Sequence, residues 1–69
     1  MEGYQQRVID EKTDIEAKVN KLNDFIGYNP AFDKIDPAEQ ERMKEQNDIM
    51  WQYVEVLGRR IAAFPSVNA

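Results

Sequence analysis

Residues 36–64 read DPAEQERMKEQNDIMWQYVEVLGRRIAAF, and this stretch decides the fold of the chain. Its start combines three helix-start signals, with Asp36 as N-cap, Pro37 at the first helical position and Glu39 three residues after the cap. Apolar residues then recur at helical spacing, at Met43, Met50, Val54, Leu57, Ile61 and Phe64. The stretch therefore predicts a long helix over residues 37–64 with one continuous apolar face.

A second group of apolar side chains in this helix lies off that face and comprises Ile49, Trp51, Tyr53 and Val56. One partner helix in a hairpin can cover only one face, so this surplus predicts that other copies of the chain cover the rest. Aromatic and methionine side chains are also enriched at protein interfaces. The sequence thus favours a symmetric homo-oligomer.

The segment before this helix predicts a second, amphipathic helix over residues 4–26. Its apolar positions step by four, three and four residues, at Ile15, Val19, Leu22 and Ile26. Gly27, where a positive φ costs little, is expected to stop this helix, and Asn29-Pro30 prevents its continuation. Val19 is expected in the core.

The connection over residues 27–36 is expected to be a loop with one helical turn, in which Phe32 and Ile35 plug the end of a helix pair. Two long helices joined by so short a loop are antiparallel neighbours. After Pro65 the chain is expected to end in a short tail, residues 65–69. The predicted fold is all-α, a single-domain antiparallel helical hairpin over residues 1–69 that assembles into a symmetric homo-oligomer.

Composition limits the function classes. A chain of 69 residues buries only about 60% of its unfolded surface, and with no cysteine it has no disulfide to add stability. A net charge of −4 argues against binding to nucleic acid polymers or to anionic membranes. No apolar run approaches the roughly 20 residues of a membrane span, and MEGYQQRV does not resemble a signal peptide. We expect a cytoplasmic protein.

Motifs for catalysis are absent from the sequence. There is no histidine, no glycine-rich phosphate loop and no nucleophile elbow, so we expect neither an enzyme nor a bound cofactor or metal. The acidic clusters around residues 10–14 and 39–45 have the spacing of solvated helix faces. Gly58, inside the second helix, suggests a close approach of another backbone or of a ligand.

Tyr4 and Lys18 are candidates for a site shared between chains. They lie 14 residues apart, so on one helix they are about 21 Å apart along the axis but differ by only about 40° in direction. A small ligand could touch both only if a second chain ran antiparallel, as in a two-fold dimer. The simpler alternative is that Tyr4 is a hydrophobic anchor near the N-terminus.

Three runs of sequence together resemble one family: YQQRVIDEK at 4–12, KVNKLNDFI at 18–26 and RIAAF at 60–64. They are similar to the phage anti-CBASS nucleotide sponges, which share a helical-hairpin domain with an anti-Thoeris sponge. The resemblance implies a non-catalytic homohexamer in the host bacterial cytoplasm. It would sequester cyclic dinucleotides such as 3',3'-cGAMP, and in some members cyclic trinucleotides, and so block CBASS defence.

The resemblance also implies roles for particular residues. Tyr4 would stack on a base, a lysine late in the first helix would contact a phosphate, and Arg60 would bind phosphate in a separate trinucleotide site. An ungapped count from Tyr4 puts the family's lysine at Val19, a core position, so Lys18 is the first candidate and Lys21 the second. For Arg60 the alternative is a cation that completes the last helical turn. For the whole chain the alternative is a non-catalytic phage protein whose oligomeric surface binds another protein.

Overall fold

A computed structural model describes residues 3–65 as two long antiparallel helices. Helix α1 spans Gly3–Tyr28 and helix α2 spans Pro37–Ala62, with a short 3-10 helix at Pro30–Lys34 between them. The hairpin is a rod of 53 × 15 × 15 Å. Its radius of gyration, 15.8 Å, exceeds the value of about 11 Å expected for a compact chain of this length. The predicted all-α helical hairpin is confirmed over the described residues; the assembly stays a prediction.

The end of α1 differs from the prediction. The helix continues through Gly27 to Tyr28, and no residue in the described range has a positive φ. Asn29 then leaves the helix at φ −93° and ψ 119°, the extended conformation that a residue before proline prefers. Its side chain accepts a hydrogen bond from the Ala31 N–H at 2.9 Å and so caps the 3-10 helix. The constraint from Pro30, and not the freedom of Gly27, ends the helix.

The loop is closed by one aromatic side chain and one amide. Phe32 is only 6% exposed and meets the Phe25 ring edge-to-face, with centroids 6.1 Å apart. The Gln40 side chain donates to the carbonyls of Phe32 and Ile35, both at 2.9 Å. Phe32 is therefore buried as the predicted plug, while Ile35 is half-buried.

Helix α2 begins as its sequence predicts. The Asp36 carboxylate accepts a hydrogen bond from the Ala38 N–H at 3.1 Å, and Pro37 occupies the first helical position. Glu39 does not return to the cap as in a capping box; its carboxylate binds Arg42 at 2.7 Å. The Asp36 side chain thus caps the N-terminus of α2 without help from Glu39.

The helices pack along a thin core, whose buried apolar side chains on α1 and α2 are Val8, Val19, Val54 and Leu57. The apolar face of α2 has no apolar residue between Met43 and Met50, and Asn47 occupies that position. Its amide nitrogen lies 3.4 Å from Oδ1 of Asn23 on α1. The Asn47 Oδ1 atom is buried and has no hydrogen-bond partner in the described part of the chain. A polar residue at a core position fixes the register of packed helices at a cost in stability, and we assign that role to Asn47.

The surplus apolar residues of α2 divide between two flanks. Ile49, Tyr53 and Val56 are exposed, and their spacing of four and three places them in one line along the helix; we call this line the α2 stripe. Trp51 is half-buried and points about 200° away from Ile49, on the opposite flank. Trp51 therefore belongs to the margin of the core, and the α2 stripe is the surface that the hairpin leaves open.

Gly58 faces the side chain of Lys12 on α1. A β carbon built at Gly58 would lie 3.5 Å from Lys12 Cε, an ordinary van der Waals distance. The close neighbour of this glycine within the chain is thus a lysine stem and not another backbone.

Candidate functional site

The first candidate site is at the open end of the hairpin, where the start of α1 meets the end of α2. Tyr4, in the first turn of α1, is 48% exposed, and its ring packs edge-to-face against Phe64 with centroids 5.8 Å apart. The sequence predicted that α2 would include Phe64, but the helix ends at Ala62, because Pro65 disfavours helical backbone at the residue before it. Phe64 thus folds back onto α1 and supports the Tyr4 ring.

Three arginines lie at the same end of the rod as this aromatic pair. Arg7 follows Tyr4 by one turn of α1, and Arg59 and Arg60 lie near the end of α2. All three are exposed, and none forms an ion pair within residues 3–65. Arg59 and Arg60 also lie in the last turn of α2, where the negative end of the helix dipole favours a cation. The open end therefore combines a half-exposed aromatic ring with uncompensated guanidinium groups.

The two candidate lysines lie farther along α1. Lys18 and Lys21 are both exposed, and neither forms an ion pair with any residue that the structure describes. Val19 is fully buried, so the position given by the ungapped match cannot contact a ligand. Lys18 is about 21 Å from Tyr4 along the axis of α1, so a single chain does not bring the two together.

A second candidate site is a groove at the opposite end of the rod, on the outer side of α1. The groove is open, has a volume of about 560 Å³ and is lined by Lys21, Asp24, Phe25, Tyr28, Asn29 and Pro30. Tyr28 is 83% exposed, more than any other large apolar or aromatic side chain among the described residues. We call this feature the loop-end groove.

Sequence reasoning missed several residues of these two sites. Phe64 was assigned only to the core face of α2, and Arg7 and Tyr28 were not singled out. Arg7 could have been found from its one-turn spacing from Tyr4, and Tyr28 from its position seven residues after Lys21. The contact between Phe64 and Tyr4 depends on the hairpin register, which the periodicity of either helix alone does not give.

Residues 3–65 meet neither the requirements of a metal-binding cluster nor those of a membrane-spanning helix. Within residues 3–65 no group of three or more acidic side chains is arranged to hold a metal. No helix in the same range is long and apolar enough to cross a bilayer.

The fold and these surfaces define a small, rod-shaped helical hairpin with exposed aromatic rings and with cations that form no ion pair inside residues 3–65. A sequence model of the Sequestin family matches residues 2–63, so the chain belongs to the Sequestin family. The name of the family is consistent with a sequestering protein. No curated protein and no solved structure gives a significant match.

Proposed function

We propose that this protein is a phage-encoded sponge. It binds cyclic di- and trinucleotide immune signals such as 3',3'-cGAMP in the host bacterial cytoplasm and holds them without degrading them, so that CBASS defence is not activated. Membership of the Sequestin family supports the sequestering role. The identity of the ligand rests on the resemblance to the anti-CBASS sponges and on the chemistry of the open end.

The observation that carries the proposal is the arrangement of Tyr4. Its ring is half exposed and supported on one side by Phe64, so a base can stack on it without any change in the fold. Stacking on an aromatic side chain contributes roughly 1–3 kcal/mol per base and tolerates different bases. Arg7, one turn along α1 from Tyr4, forms no ion pair within residues 3–65, so it has no carboxylate partner among them to give up before it binds phosphate.

The ligand pocket is completed by a second chain. Tyr4 of one copy lies beside Lys18 of another in an antiparallel, two-fold arrangement, with Lys21 as the second candidate for the phosphate contact. Assembly into a homohexamer uses the α2 stripe, since Ile49, Tyr53 and Val56 are apolar and exposed on the single hairpin. Arg60 continues the line of this stripe, four residues after Val56. Copies that meet along the stripe in parallel, around a three-fold axis, would bring their Arg60 side chains together.

The proposal is tested by equilibrium titration calorimetry of the full-length protein with 3',3'-cGAMP. We expect saturable binding with a fixed ratio of ligand to chains, and a cyclic trinucleotide should bind without displacing the dinucleotide. The linear dinucleotide of the same bases serves as a control for simple charge attraction. Absence of binding, or equal affinity for the linear control, contradicts the proposal.

A second candidate function is supported by the α2 stripe itself. In this alternative the protein is a non-catalytic, oligomeric interaction module of a phage, and the exposed side chains Ile49, Tyr53 and Val56 bind another protein. The two functions differ in whether Tyr53→Glu abolishes the binding of a partner protein. An interaction module loses its protein partner, whereas a sponge has no such partner to lose.

A further inference from the structure

We infer that the loop-end groove is a separate site for a guanine nucleotide. The groove lies on the outer side of α1, opposite the side that packs on α2. Tyr28 at one end of it is 24 residues from Tyr4, about 36 Å along the helix axis. The inference shares only Lys21, the second candidate for the phosphate contact, with the proposed Tyr4 site, and it does not depend on the sponge function.

The first reason is that the Tyr28 ring does not contribute to the packing that closes this end of the hairpin. Phe32 closes this end of the core, and Gln40 ties the loop to α2, while the Tyr28 ring remains 83% exposed. Phe25 and Pro30 line the same groove, so an apolar surface extends beside the Tyr28 ring. A planar base can stack there, since aromatic side chains are the usual platforms for bases in proteins.

The second reason is that two opposite charges beside the Tyr28 ring do not pair with each other. Lys21 and Asp24 are one helical turn apart and of opposite sign, yet they form no ion pair, unlike the Lys12–Glu16 pair in the same helix. Lys21 lies about 10 Å along the axis from Tyr28. A base on Tyr28 can therefore carry a phosphate that reaches the Lys21 ammonium, and Asp24 lies between the two.

The third reason is that the polar groups select guanine. The Asp24 carboxylate only accepts hydrogen bonds, and the guanine edge offers it two donors, N1–H and the exocyclic amino group. Adenine has an acceptor, N1, beside its amino group, and the carboxylate repels this acceptor because both groups only accept hydrogen bonds. Asn29 uses its Oδ1 to cap the 3-10 helix, so its amide nitrogen is the group left to donate to a guanine acceptor.

The size of the groove sets the size of the ligand. Its volume of about 560 Å³ is within the range of about 300–1,000 Å³ for small-molecule sites. Because the groove is open, it covers only one face of a ligand. A guanine mononucleotide fits a groove of this size and openness.

The test is a titration of the full-length, 15N-labelled protein with GMP, and in parallel with AMP, followed by backbone amide chemical shifts. We expect GMP to shift the amides of residues 21–30 and to bind more tightly than AMP. Tyr28→Ala should weaken GMP binding about fivefold or more, and Tyr28→Phe should retain it because stacking needs only the ring. Asp24→Asn should reduce the preference for GMP over AMP.

Lys34→Ala is the matched control for Lys21→Ala. Both remove one exposed lysine at the same end of the rod, but Lys34 does not line the groove. Lys21→Ala should weaken GMP binding and Lys34→Ala should leave it unchanged. The inference is overturned if GMP shifts no amide in residues 21–30, if Tyr28→Ala binds as the wild type does, or if GMP and AMP bind equally.

Tyr4→Ala separates this inference from the proposed function. If the groove is a separate site, Tyr4→Ala keeps the GMP-induced shifts whatever happens to its binding of 3',3'-cGAMP. A wild-type protein that binds GMP in the groove but fails to bind 3',3'-cGAMP contradicts the sponge and supports the groove. Loss of the GMP shifts in Tyr4→Ala, with the helical circular dichroism unchanged, overturns the groove as a separate site.

Discussion

The two ends of the hairpin carry the same kind of aromatic contact but use it differently. At the loop end Phe25 and Phe32 meet edge-to-face at 6.1 Å, and Phe32 is buried under the connection. At the open end Tyr4 and Phe64 meet edge-to-face at 5.8 Å, yet Tyr4 stays half exposed. The loop-end pair stabilises the fold, whereas the open-end pair leaves about half of the Tyr4 side chain exposed. Under the proposed function, this difference teaches that burial, rather than residue type, separates structural from ligand-binding aromatic residues in this chain.

The largest expected effect comes from comparing the two phenylalanines. Phe32→Ala should lower the free energy of unfolding by about 3–5 kcal/mol, because it removes a buried ring and leaves a cavity. Phe64→Ala should lower it less, since Phe64 is only half-buried, but should weaken binding of 3',3'-cGAMP through loss of support for Tyr4. Urea unfolding and titration calorimetry measure the two effects. Equal losses of stability in both variants would remove the distinction between the ends.

The features of the fold that the sequence predicts well are those that depend on local signals. The N-cap at Asp36, the buried plug Phe32 and the core position Val19 depend on local signals and helical periodicity, and the structure has them as predicted. The end of α1 was misplaced at Gly27 because a glycine suggests a stop, whereas the constraint of Pro30 acts on Asn29. The effect of a proline on the preceding residue is the stronger signal here.

The candidate sites could be predicted only in part. The polar and apolar pattern indicates which residues are exposed, but contacts between the helices require the hairpin register. The pairing of Tyr4 with Phe64 depends on that register, whereas the separation of Trp51 from the α2 stripe follows from the geometry of one helix. The contact between Tyr4 and Lys18 requires a second chain and stays a prediction.

The α2 stripe, which runs between the two ends, gives the next prediction. Tyr53→Glu should reduce the mass measured by light scattering, because a charge in an apolar interface opposes association, while the hairpin still forms at high concentration. Trp51→Glu should instead destabilise each chain, because Trp51 is half-buried within the hairpin. The wild-type melting temperature should also rise with protein concentration. A wild-type monomer in the light-scattering measurement contradicts the assembly.

The ligand site predicts a loss of affinity without a loss of assembly. Tyr4→Ala and Lys18→Ala should each weaken 3',3'-cGAMP binding by about tenfold or more, since a base stack and a phosphate contact are each worth roughly 1–3 kcal/mol. Tyr4→Phe is the matched control and should bind normally. If Lys21→Ala is the damaging change and Lys18→Ala is not, the phosphate contact belongs to Lys21.

Mixing the two variants tests whether the site is shared. A co-refolded mixture of Tyr4→Ala and Lys18→Ala chains contains interfaces with one intact pair and one doubly changed pair. Partial recovery of binding is expected if Tyr4 and Lys18 come from different chains. Failure of the mixture to recover any binding counts against a site that Tyr4 and Lys18 of different chains share.

Arg60 is expected to affect one ligand only. Arg60→Ala should abolish binding of the cyclic trinucleotide and leave dinucleotide binding nearly unchanged, and Arg60→Lys should recover little because a lysine lacks the guanidinium fork. Arg59→Ala is the matched control, with the same loss of charge one residue away. An equal effect of Arg60→Ala on both ligands would place Arg60 at the Tyr4 site, which lies at the same end of the rod.

The smallest expected effect concerns two glycines in the helices. Gly27→Ala and Gly58→Ala should each raise the free energy of unfolding by about 0.5–1 kcal/mol, because alanine is the better helix former. Among the residues that the structure describes, a β carbon meets nothing within 4 Å at Gly27 and only the Lys12 stem at Gly58. Thermal unfolding measures both. Stabilisation at Gly27 together with destabilisation at Gly58 would show that another chain or a ligand approaches Gly58.

The sponge function is tested most directly by the fate of the bound nucleotide. The protein is incubated with 3',3'-cGAMP, washed on a filter that retains it, and then denatured, and the released material is identified by mass spectrometry. The account predicts that the wild-type protein releases intact 3',3'-cGAMP in a fixed ratio to the chains and that Tyr4→Ala releases much less. Release of a cleaved product would indicate an enzyme, and release of no nucleotide at all would contradict sequestration.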